Sequence, residues 1–529
     1  MASTVAAMLI LGLLLTVITL IGRTTIVTSE VMERSRTAAL DRAVERAKTN
    51  FSIESITVND TAIRVKLKNT GSTSTSDFTH MDFIADYVGG GSLISTRLTY
   101  TEGLLGADQW RKTSISPDNL ELGVWNETEI LTLDARLTTS TDVSTTATVA
   151  VGTPDGVTRT VSVITADPIN DTLEFDVVKG KDPDIIHISA DVYVIAYAGD
   201  SDDGFLKTVE IAGSVEIGNE ELDFFEFDVV KGKTPDIIPI SGDVYAIAYA
   251  EDGDDGRLIT VTIAASGQIT DTVIDSLEFD SVKGKTPNII PISGNVYAIA
   301  YAGDGDDGLL ITVTIANDGQ ITDTVIDTLE FDPAKGKTAN IIPISGNVYA
   351  IAYAGDGDDG FLKTVTIATD GQIADAVIDT LEFDTSQGKT PNIIPISGDE
   401  YAIAYSDVDD DGILITITIA TDGQITDAII DTLEFDSSKG KTPNIIPVSG
   451  DVYAIAYAGN GDDGFLKTVT IATDGQITDP VIATLEFDTS KGKTPNIIPI
   501  SGVYAIAYAG DGDDGFLKTI EITTSGQIP

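Results

Sequence analysis

The chain has 529 residues, with 83 acidic and 32 basic side chains and a formal net charge of −51. It contains no cysteine, which excludes disulfides, thiolate metal sites and cysteine catalysis, and its two histidines, His80 and His187, lie too far apart in sequence to predict a multi-histidine metal site. The acidic balance argues against a nucleic-acid partner, because phosphates require Lys and Arg, whereas a hydrophobic fraction of 42% predicts folded domains.

The N-terminal segment is apolar and then amphipathic. Met1–Gly22 carries no charged side chain, and as a helix it would span about one hydrocarbon core. Apolar residues continue among charged ones at roughly helical spacing to Lys48, without a proline. We predict one long helix over residues 1–48, inserted in the membrane before assembly. Its predicted assembly face comprises Val5, Leu9, Leu13, Val17, Leu20, Val27 and Val31.

The next segment, residues 49–163, alternates apolar and polar residues as half-buried strands do. "FSIESITVND" and "TAIRVKLKNTG" are the first two strand-like runs, and Asn69-Thr70-Gly71 and Gly89-Gly90-Gly91 are among the turn signals. About seven short strands in this length predict an immunoglobulin-like β-sandwich. Its core must come from packing alone, because no cysteine pair is present.

An apolar N-terminal segment fused to a sandwich that contains "LKNTGSTS" (Leu67–Ser74) resembles archaellins, archaeal type IV pilins and archaellum stator proteins. "SPDNLELGVWNETEILTLDARL" (Ser116–Leu137) is similar to the later strands of those domains. The resemblance covers residues 1–163. It implies either a subunit that polymerises through its helix or a membrane-tethered accessory protein. Pilin-like precursors carry a short basic leader that is not seen here. Either the sequence is the processed form or a leader never existed, and the second option favours the stator-like alternative.

The remaining segment, residues 164–529, is a sevenfold repeat. Its "LEFD" phenylalanines recur every 52 residues, at Phe175, Phe227, Phe279, Phe331, Phe383, Phe435 and Phe487. Each unit holds four strand-like runs. In "VYAIAY" one face carries bulky residues and the other small ones, so that neighbouring sheets can stack. These features predict a seven-bladed β-propeller, with a linear array of small domains as the alternative. The first "DTLEFD" strand is expected to complete the last blade.

The predicted fold class is therefore mainly β: a long N-terminal α-helix, an immunoglobulin-like β-sandwich and a C-terminal seven-bladed β-propeller of 52-residue repeats. No helical periodicity appears after residue 48. The predicted domains are residues 1–48, 49–163 and 164–529.

The "AGDGDDG" turns are the candidate metal sites, because clustered carboxylates can bind Ca²⁺. The alternative is a plain acidic turn, since Asp and Gly supply the backbone angles that turns need. We expect no cofactor, with calcium as the alternative. The candidate ligands are Asp304, Asp306, Asp307, Asp356, Asp358, Asp359, Asp511, Asp513 and Asp514.

No catalytic constellation is predicted. The carboxylates of "LEFD" recur too evenly for an asymmetric glycosidase pair, and His187 stands where later repeats have Pro239 and Pro291. The "KGKTPN" loops, with Lys283 and Lys285 as examples, lack the phosphate-binding pattern. We interpret them as solvated turns that offset nearby carboxylates. Candidate glycosylation sites are Asn50, Asn59, Asn126 and Asn170.

Two functions remain open from the sequence. The first is a structural subunit of an extracellular archaellum-like or type IV pilus-like filament: a homopolymer with the helix in the filament core, the sandwich as sheath and the propeller outward. The alternative is a membrane-anchored, stator-like or adhesive surface protein whose propeller binds a glycan, an S-layer or a partner protein.

Overall fold

The computed structural model describes residues 36–37, 44, 46, 48–59, 61–103, 105–117, 122–139, 141, 145–164, 169–212, 216–218, 221–500 and 503–528. The chain divides into two compact units between Asp167 and Pro168. Each unit is a β structure with its own hydrophobic core.

The long N-terminal helix predicted over residues 1–48 is not found in the part of the chain that the structure describes, and most of this range lies outside the described residues. In the part of the chain that the structure describes, the fold is nearly all β and no helix reaches seven residues. A long helix draws most of its stability from packing an apolar face against a partner, so helical spacing alone does not establish one. No helix among the described residues has the length and apolar character needed to cross a bilayer. The predicted assembly face, from Val5 to Val31, lies outside the described residues.

The described residues of the first unit form eight strands. They are β1 (Phe51–Asn59), β2 (Ala62–Asn69), β3 (Asp82–Gly89), β4 (Ser92–Tyr100), β5 (Gln109–Ser116), β6 (Ile130–Arg136), β7 (Thr146–Gly152) and β8 (Thr158–Ile164).

Their order is β1-β2-β6-β5 in one half and β4-β3-β7-β8 in the other, and two parallel residue pairs between β4 and β5 join the halves. This is the strand order of an immunoglobulin-like sandwich. Inward residues of both halves form a single core: Val65 and Leu133 come from one half, and Phe83 and Val149 come from the other.

The second unit is a seven-bladed β-propeller that begins with β9 (Ile169–Asp176). Blade 1 is β10 (Lys181–Ser189), β11 (Val192–Ala198), β12 (Gly204–Glu210) and β13 (Asp223–Asp228); blade 2 is β14 (Lys233–Ser241), β15 (Val244–Ala250), β16 (Gly256–Thr262) and β17 (Asp275–Asp280); blade 3 is β18 (Lys285–Ser293), β19 (Val296–Ala302), β20 (Gly308–Thr314) and β21 (Asp327–Asp332). Blade 4 is β22 (Lys337–Ser345), β23 (Val348–Ala354), β24 (Gly360–Thr366) and β25 (Asp379–Asp384); blade 5 is β26 (Lys389–Ser397), β27 (Glu400–Ser406), β28 (Gly412–Thr418) and β29 (Asp431–Asp436). Blade 6 is β30 (Lys441–Ser449), β31 (Val452–Ala458), β32 (Gly464–Ile471) and β33 (Ile477–Asp488); blade 7 is β34 (Lys493–Ile500), β35 (Val503–Ala509), β36 (Gly515–Ile520) and β9.

Short 3-10 turns follow the second strand in six blades. They are Asp200–Asp202, Asp252–Asp254, Asp304–Asp306, Asp356–Asp358, Asn460–Asp462 and Asp511–Asp513.

The predicted ring closure is confirmed. β9 pairs antiparallel with β36, so Leu173 lies opposite Leu517 although the two are far apart in sequence. The first strands of neighbouring blades lie side by side around the axis, with β10 next to β34. The ring is therefore closed by hydrogen bonds within blade 7, and this sheet has no unpaired outer edge at β36.

The predicted packing of large faces on small faces is also confirmed. Tyr297, Ile299 and Tyr301 of blade 3 pack against Ala246 and Ala248 of blade 2. The same combination recurs between blades 3 and 4 and between blades 4 and 5. Alanines on one face let the neighbouring sheet approach closely, and the bulky residues fill the remaining space.

Candidate binding face of the propeller

One end of the propeller combines two kinds of loop. In blade 3 these are the turn after the second strand (Asp304–Asp307) and the loop after the fourth strand (Pro333–Gly336), and the Gly336 N–H donates to the Asp306 carbonyl at 2.7 Å. We call this end the loop face. A Cβ on Gly336 would lie 2.3 Å from the Gly308 Cα, so only glycine permits this approach of loop to turn.

Lysine side chains form ion pairs with the middle carboxylate of each turn. The Asp306 carboxylate accepts hydrogen bonds from Lys285 Nζ at 2.5 Å and from Lys335 Nζ at 3.1 Å. Hydrogen bonding to Lys285, and then to Lys335, holds the pKa of Asp306 below its ordinary value, although burial opposes the shift. The interpretation of the "KGK" loops as turns that offset carboxylates is thus confirmed. We call this arrangement the Asp–Lys clamp.

The clamp recurs in every blade. Its members are Asp202 with Lys181 and Lys231, Asp254 with Lys233 and Lys283, Asp306 with Lys285 and Lys335, Asp358 with Lys337, Asp410 with Lys389 and Lys439, Asp462 with Lys441 and Lys491, and Asp513 with Lys493 and Lys179.

The fourth clamp has one lysine fewer, because Gln387 stands where other blades have the second lysine. We expect Gln387→Lys to raise the free energy of unfolding by about 0.3–1 kcal/mol at low salt, and less at high salt, because the new ion pair is partly exposed. Urea unfolding at two salt concentrations measures the change. Gln424→Lys, which adds the same charge at an exposed site in another loop, is the control and should have no such effect.

The candidate calcium ligands lie in these turns. Among the described residues, no three His, Asp or Glu side chains are grouped as a metal would require. The middle carboxylates, Asp306, Asp358 and Asp513, are engaged by lysines. Ca²⁺ needs six to eight oxygen ligands. The calcium site therefore stays a prediction, and the contacts of these turns favour the ion pair.

The aspartates of the "LEFD" motif accept hydrogen bonds from other residues of the propeller. Asp332 accepts a hydrogen bond from the Tyr353 hydroxyl at 2.6 Å, from Lys363 Nζ at 3.0 Å and from the Ala334 N–H at 3.0 Å. Together these contacts hold the pKa of Asp332 below its ordinary value, although burial opposes the shift. The equivalent Tyr–Asp hydrogen bond recurs in each blade. This carboxylate therefore serves the frame of the blade.

A ring of amides and carboxylates surrounds the axis just inside the loop face. In blade 3 the Asn288 side chain accepts from the N–H of Ile341 in the next blade, at 2.9 Å. Equivalent bonds run around the propeller and close between Asn496 and the N–H of Ile185, at 3.3 Å. The ring, which we call the axial ring, consists of Asp184, Asp236, Asn288, Asn340, Asn392, Asn444 and Asn496.

Two neighbouring members of the axial ring are carboxyl groups. Asp184 and Asp236 hydrogen-bond to each other, which requires one proton between them. Burial, and then the Asp236 carboxylate, raise the pKa of Asp184 well above its ordinary value. Elsewhere an amide supplies the proton, as where Asn288 Nδ2 donates to Asp236 at 2.8 Å. The ring is thus chemically asymmetric in blades 1 and 2.

A cavity of about 270 Å³ lies at the axis and is lined by Asp182 and by threonines and asparagines that begin the first strands. Its threonines adopt left-handed backbone conformations, as at Thr338 (φ 49°) and Thr390 (φ 48°). β-Branched residues rarely adopt this conformation. The Thr390 hydroxyl is also buried and makes no hydrogen bond within the described part of the chain.

We expect Thr390→Asn to raise the free energy of unfolding by about 0.5–1 kcal/mol, because asparagine tolerates the left-handed conformation and brings a second polar atom. Thermal unfolding measures the gain. Thr489→Asn, at an exposed position whose backbone is not left-handed, is the control. A loss of stability at residue 390 would contradict this account of the strained position.

The tips of the loops after the fourth strands differ from blade to blade, although their frame does not. The residue pairs are Val177-Val178, Val229-Val230, Ser281-Val282, Pro333-Ala334, Thr385-Ser386, Ser437-Ser438 and Thr489-Ser490. The backbone is held alike in each loop: the Val178 N–H donates to Asp176 at 2.9 Å, and the Ser386 N–H donates to Asp384 at 2.8 Å. Loops that are held by the same hydrogen bonds thus present different exposed side chains on the loop face.

The other sequence candidates lie elsewhere. Asn50 and Asn170 are exposed, and Asn59 ends β1. Asn126 is buried and accepts a hydrogen bond from the Ser74 hydroxyl at 2.8 Å, so it is inaccessible to modification in the folded sandwich. His187 bonds the Ala190 carbonyl at 2.9 Å. Glycosylation at Asn50, Asn59 and Asn170 stays a prediction.

Neither the axial ring nor the variation of the loop tips was predicted from the sequence. The sequence does carry a signal for the ring. In every repeat an Asn or Asp stands three residues after the lysine that begins the first strand, as Asn340 stands after Lys337. The signal for the tips was the pair of residues after "FD", which changes from Val-Val to Thr-Ser within an otherwise repeated loop.

Sheet order, closure and repeated blades define a seven-bladed β-propeller protein with an immunoglobulin-like N-terminal domain. No protein-family model matches the chain, and no curated protein matches it. Among solved structures, it is similar to a Bacteroides uniformis protein with a provisional assignment as 6-phosphogluconolactonase, at 11% identity and a TM-score of 0.46, over 63% of this chain and 93% of that one.

The N-terminal part has a limited similarity to the archaellum periplasmic stator protein FlaG from Sulfolobus acidocaldarius, at 18% identity and a TM-score of 0.18, over 22% of this chain and 99% of that one. A mutant of AofleA from Arthrobotrys oligospora matches at 12% identity and a TM-score of 0.37, over 60% of this chain and 90% of that one. With TM-scores below 0.5, these likenesses do not assign an activity to the chain.

Proposed function

We propose that this chain is a non-enzymatic interaction protein of the cell surface, and that its propeller binds a partner through the loop face. The main support for the proposal is that one part of the loop face repeats from blade to blade and another part varies. Clamp, axial ring and blade core repeat around the propeller, whereas the exposed loop tips differ. A frame that fixes the backbone while its exposed side chains vary is suited to recognition.

Surface display is supported by composition. The uncharged apolar stretch Met1–Gly22 suits a segment that enters a membrane, and a net charge of −51 suits a protein that stays solvated at a crowded surface. The filament subunit, which was the first hypothesis from the sequence, relies on a long N-terminal helix as the polymerisation element. That element is not part of the proposal, because no such helix is present among the described residues.

The absence of cysteine allows a direct test by site-specific cross-linking. Thr489→Cys places a photo-cross-linker on the loop face, and Ser293→Cys places one at the exposed end of β18, on the opposite face. Each labelled full-length protein is incubated with a detergent-solubilised surface fraction of the source cells. We expect a specific adduct from position 489 and none from position 293. Equal labelling from both faces, or none, would contradict the proposal.

Localisation needs its own measurement. Electron microscopy of material sheared from the source cells, with the chain identified by mass spectrometry, separates the two structural roles. We expect the chain to stay with the membrane fraction and to leave detergent as separate particles. Filaments that contain the chain would contradict a tethered interaction protein.

A further inference from the structure

Three consecutive loops of the loop face expose valines. Val177, Val178, Val229, Val230 and Val282 are between 52% and 71% exposed. They follow the fourth strands of blades 7, 1 and 2, so they form one arc on adjacent blades. We call these five residues the valine arc. Clustered exposed apolar residues on a soluble surface mark an interaction site more often than single ones do.

The fold does not require these valines. The loops after blades 4, 5 and 6 carry Thr or Ser at the same positions and keep the same bonds: the Gly388 N–H donates to the Asp358 carbonyl at 2.7 Å, as the Gly232 N–H does to Asp202. Valines that are more than half exposed bury little apolar area in the propeller and cost solubility. Their restriction to one side of the ring therefore points to a ligand that covers them.

The charged residues around the valine arc indicate the charge of its partner. Lys231 and Lys283 are engaged by the middle carboxylates Asp202 and Asp254. The charges of these lysines are therefore paired within the clamps. The carboxylates on either side of Asp202 and Asp254 have no such partner in the described part of the chain, and we call them the rim. They are Asp200, Asp203, Asp252 and Asp255, none of which has an ion pair among the described contacts.

Neighbouring carboxylates act on Asp203 of the rim. Burial, and then the neighbouring carboxylates Asp200 and Asp228, raise the pKa of Asp203 although Lys231 opposes the shift. A cationic group placed beside Asp203 would relieve this repulsion. The arc is thus an apolar strip with an unneutralised acidic border.

We propose that the valine arc binds a protein segment in which apolar side chains are flanked by Lys or Arg. This inference rests on the proposed function of the loop face and names its binding subsite and the chemistry of its partner. The apolar side chains of the segment cover the valines, and its cations lie against the rim carboxylates. Apolar burial supplies affinity, whereas the charges supply orientation and a salt-dependent association rate.

The probe is a fluorescent peptide of about twelve residues that alternates leucine and lysine, so that an extended segment has one apolar and one cationic face. Control peptides replace every leucine by serine or every lysine by glutamate. Binding to the full-length chain is followed by fluorescence anisotropy. We expect the leucine–lysine peptide to bind, more weakly as salt rises, and both controls to bind at least about tenfold more weakly.

The chain provides its own matched variant. Val177→Thr, Val178→Ser, Val229→Thr, Val230→Ser and Val282→Ser together give these loops the residues found after blades 4, 5 and 6. We expect the peptide to bind this five-site variant at least about tenfold more weakly, with the melting temperature unchanged. Asp200→Asn with Asp252→Asn should weaken binding mainly at low salt. Unchanged affinity in the five-site variant, or equally tight binding of the serine–lysine peptide, would overturn the inference.

Failure of this inference is distinguishable from failure of the proposed function. If the cross-linker at position 489 captures a surface partner equally well in the wild-type and five-site backgrounds, the loop face binds but the valine arc does not. If position 489 captures nothing, the loop face itself is not the binding face.

Discussion

Replacing Phe175 by alanine should lower the free energy of unfolding of the propeller by about 3–5 kcal/mol, because the change removes a buried aromatic ring from the blade that closes the ring of sheets. Phe175 is buried, packs on Gly515, and makes an edge contact with Tyr197 at 5.1 Å between ring centroids. Its strand β9 is the outer edge of blade 7. Weakening β9 should also expose β36 as a free edge, so we expect increased aggregation on heating.

Urea unfolding and light scattering on the full chain measure both effects. Phe224→Thr is the matched control, because Phe224 is 54% exposed and occupies a position where blade 3 has Thr328. Its effect should stay within about 0.5 kcal/mol. Equal, small effects of the two substitutions would show that β9 does not hold the propeller closed.

The second large effect concerns the axial ring. Asp236→Asn should raise the free energy of unfolding by about 2 kcal/mol near pH 8, because the new amide can donate to Asp184 as Asn288 now donates to Asp236. The pKa of Asp184 is raised in the folded protein, so between the unfolded and the folded pKa the folded state binds a proton that the unfolded state releases. The carboxyl pair therefore costs stability at high pH, and this cost disappears as the pH falls through the raised pKa towards about 4.

The gain from Asp236→Asn should accordingly shrink between about pH 8 and pH 4. Asn288→Asp is the opposite variant, since it places a third carboxyl group beside Asp236 and should lower stability by about 2 kcal/mol near pH 8. Chemical unfolding of all three proteins at several pH values measures the effect. A gain from Asp236→Asn that is independent of pH would contradict the shared proton.

Other carboxylates act in the opposite direction. Hydrogen bonds from Tyr457 and Lys467 outweigh burial and lower the pKa of Asp436 to about 2. A lowered pKa contributes stability that is present above the unfolded value near 3.8 and is lost as the pH falls towards 2. The carboxylates with a lowered pKa, Asp332, Asp436 and Asp488, should therefore make the propeller sensitive to strong acid, whereas the Asp184–Asp236 pair makes it sensitive to alkali.

The sequence alone determined the repeat architecture. The 52-residue period, the alternation in "VYAIAY" and the placing of the first "DTLEFD" strand were sufficient to predict seven blades, their large-on-small packing and the closure of blade 7. Strand alternation and blade packing are local or nearest-neighbour properties, and a repeated sequence shows them several times over. The described residues contain no helix of the length predicted over residues 1–48, and periodicity alone does not establish one, because it describes a surface and not the partner that it must pack against.

Only the tertiary structure decided the contacts that link distant residues. The hydrogen bond from the Ile185 N–H to Asn496 joins the two ends of the propeller, and an Asp–Lys clamp with two lysines, such as Asp306 with Lys285 and Lys335, joins three segments. Whether an aspartate in "DGDDG" faces a lysine, a metal or solvent depends on which loops the closed ring brings together. The gathering of Val177, Val229 and Val282 on one side of one face also follows only from that closure, since residues 52 or 53 apart become neighbours when consecutive blades are stacked around an axis.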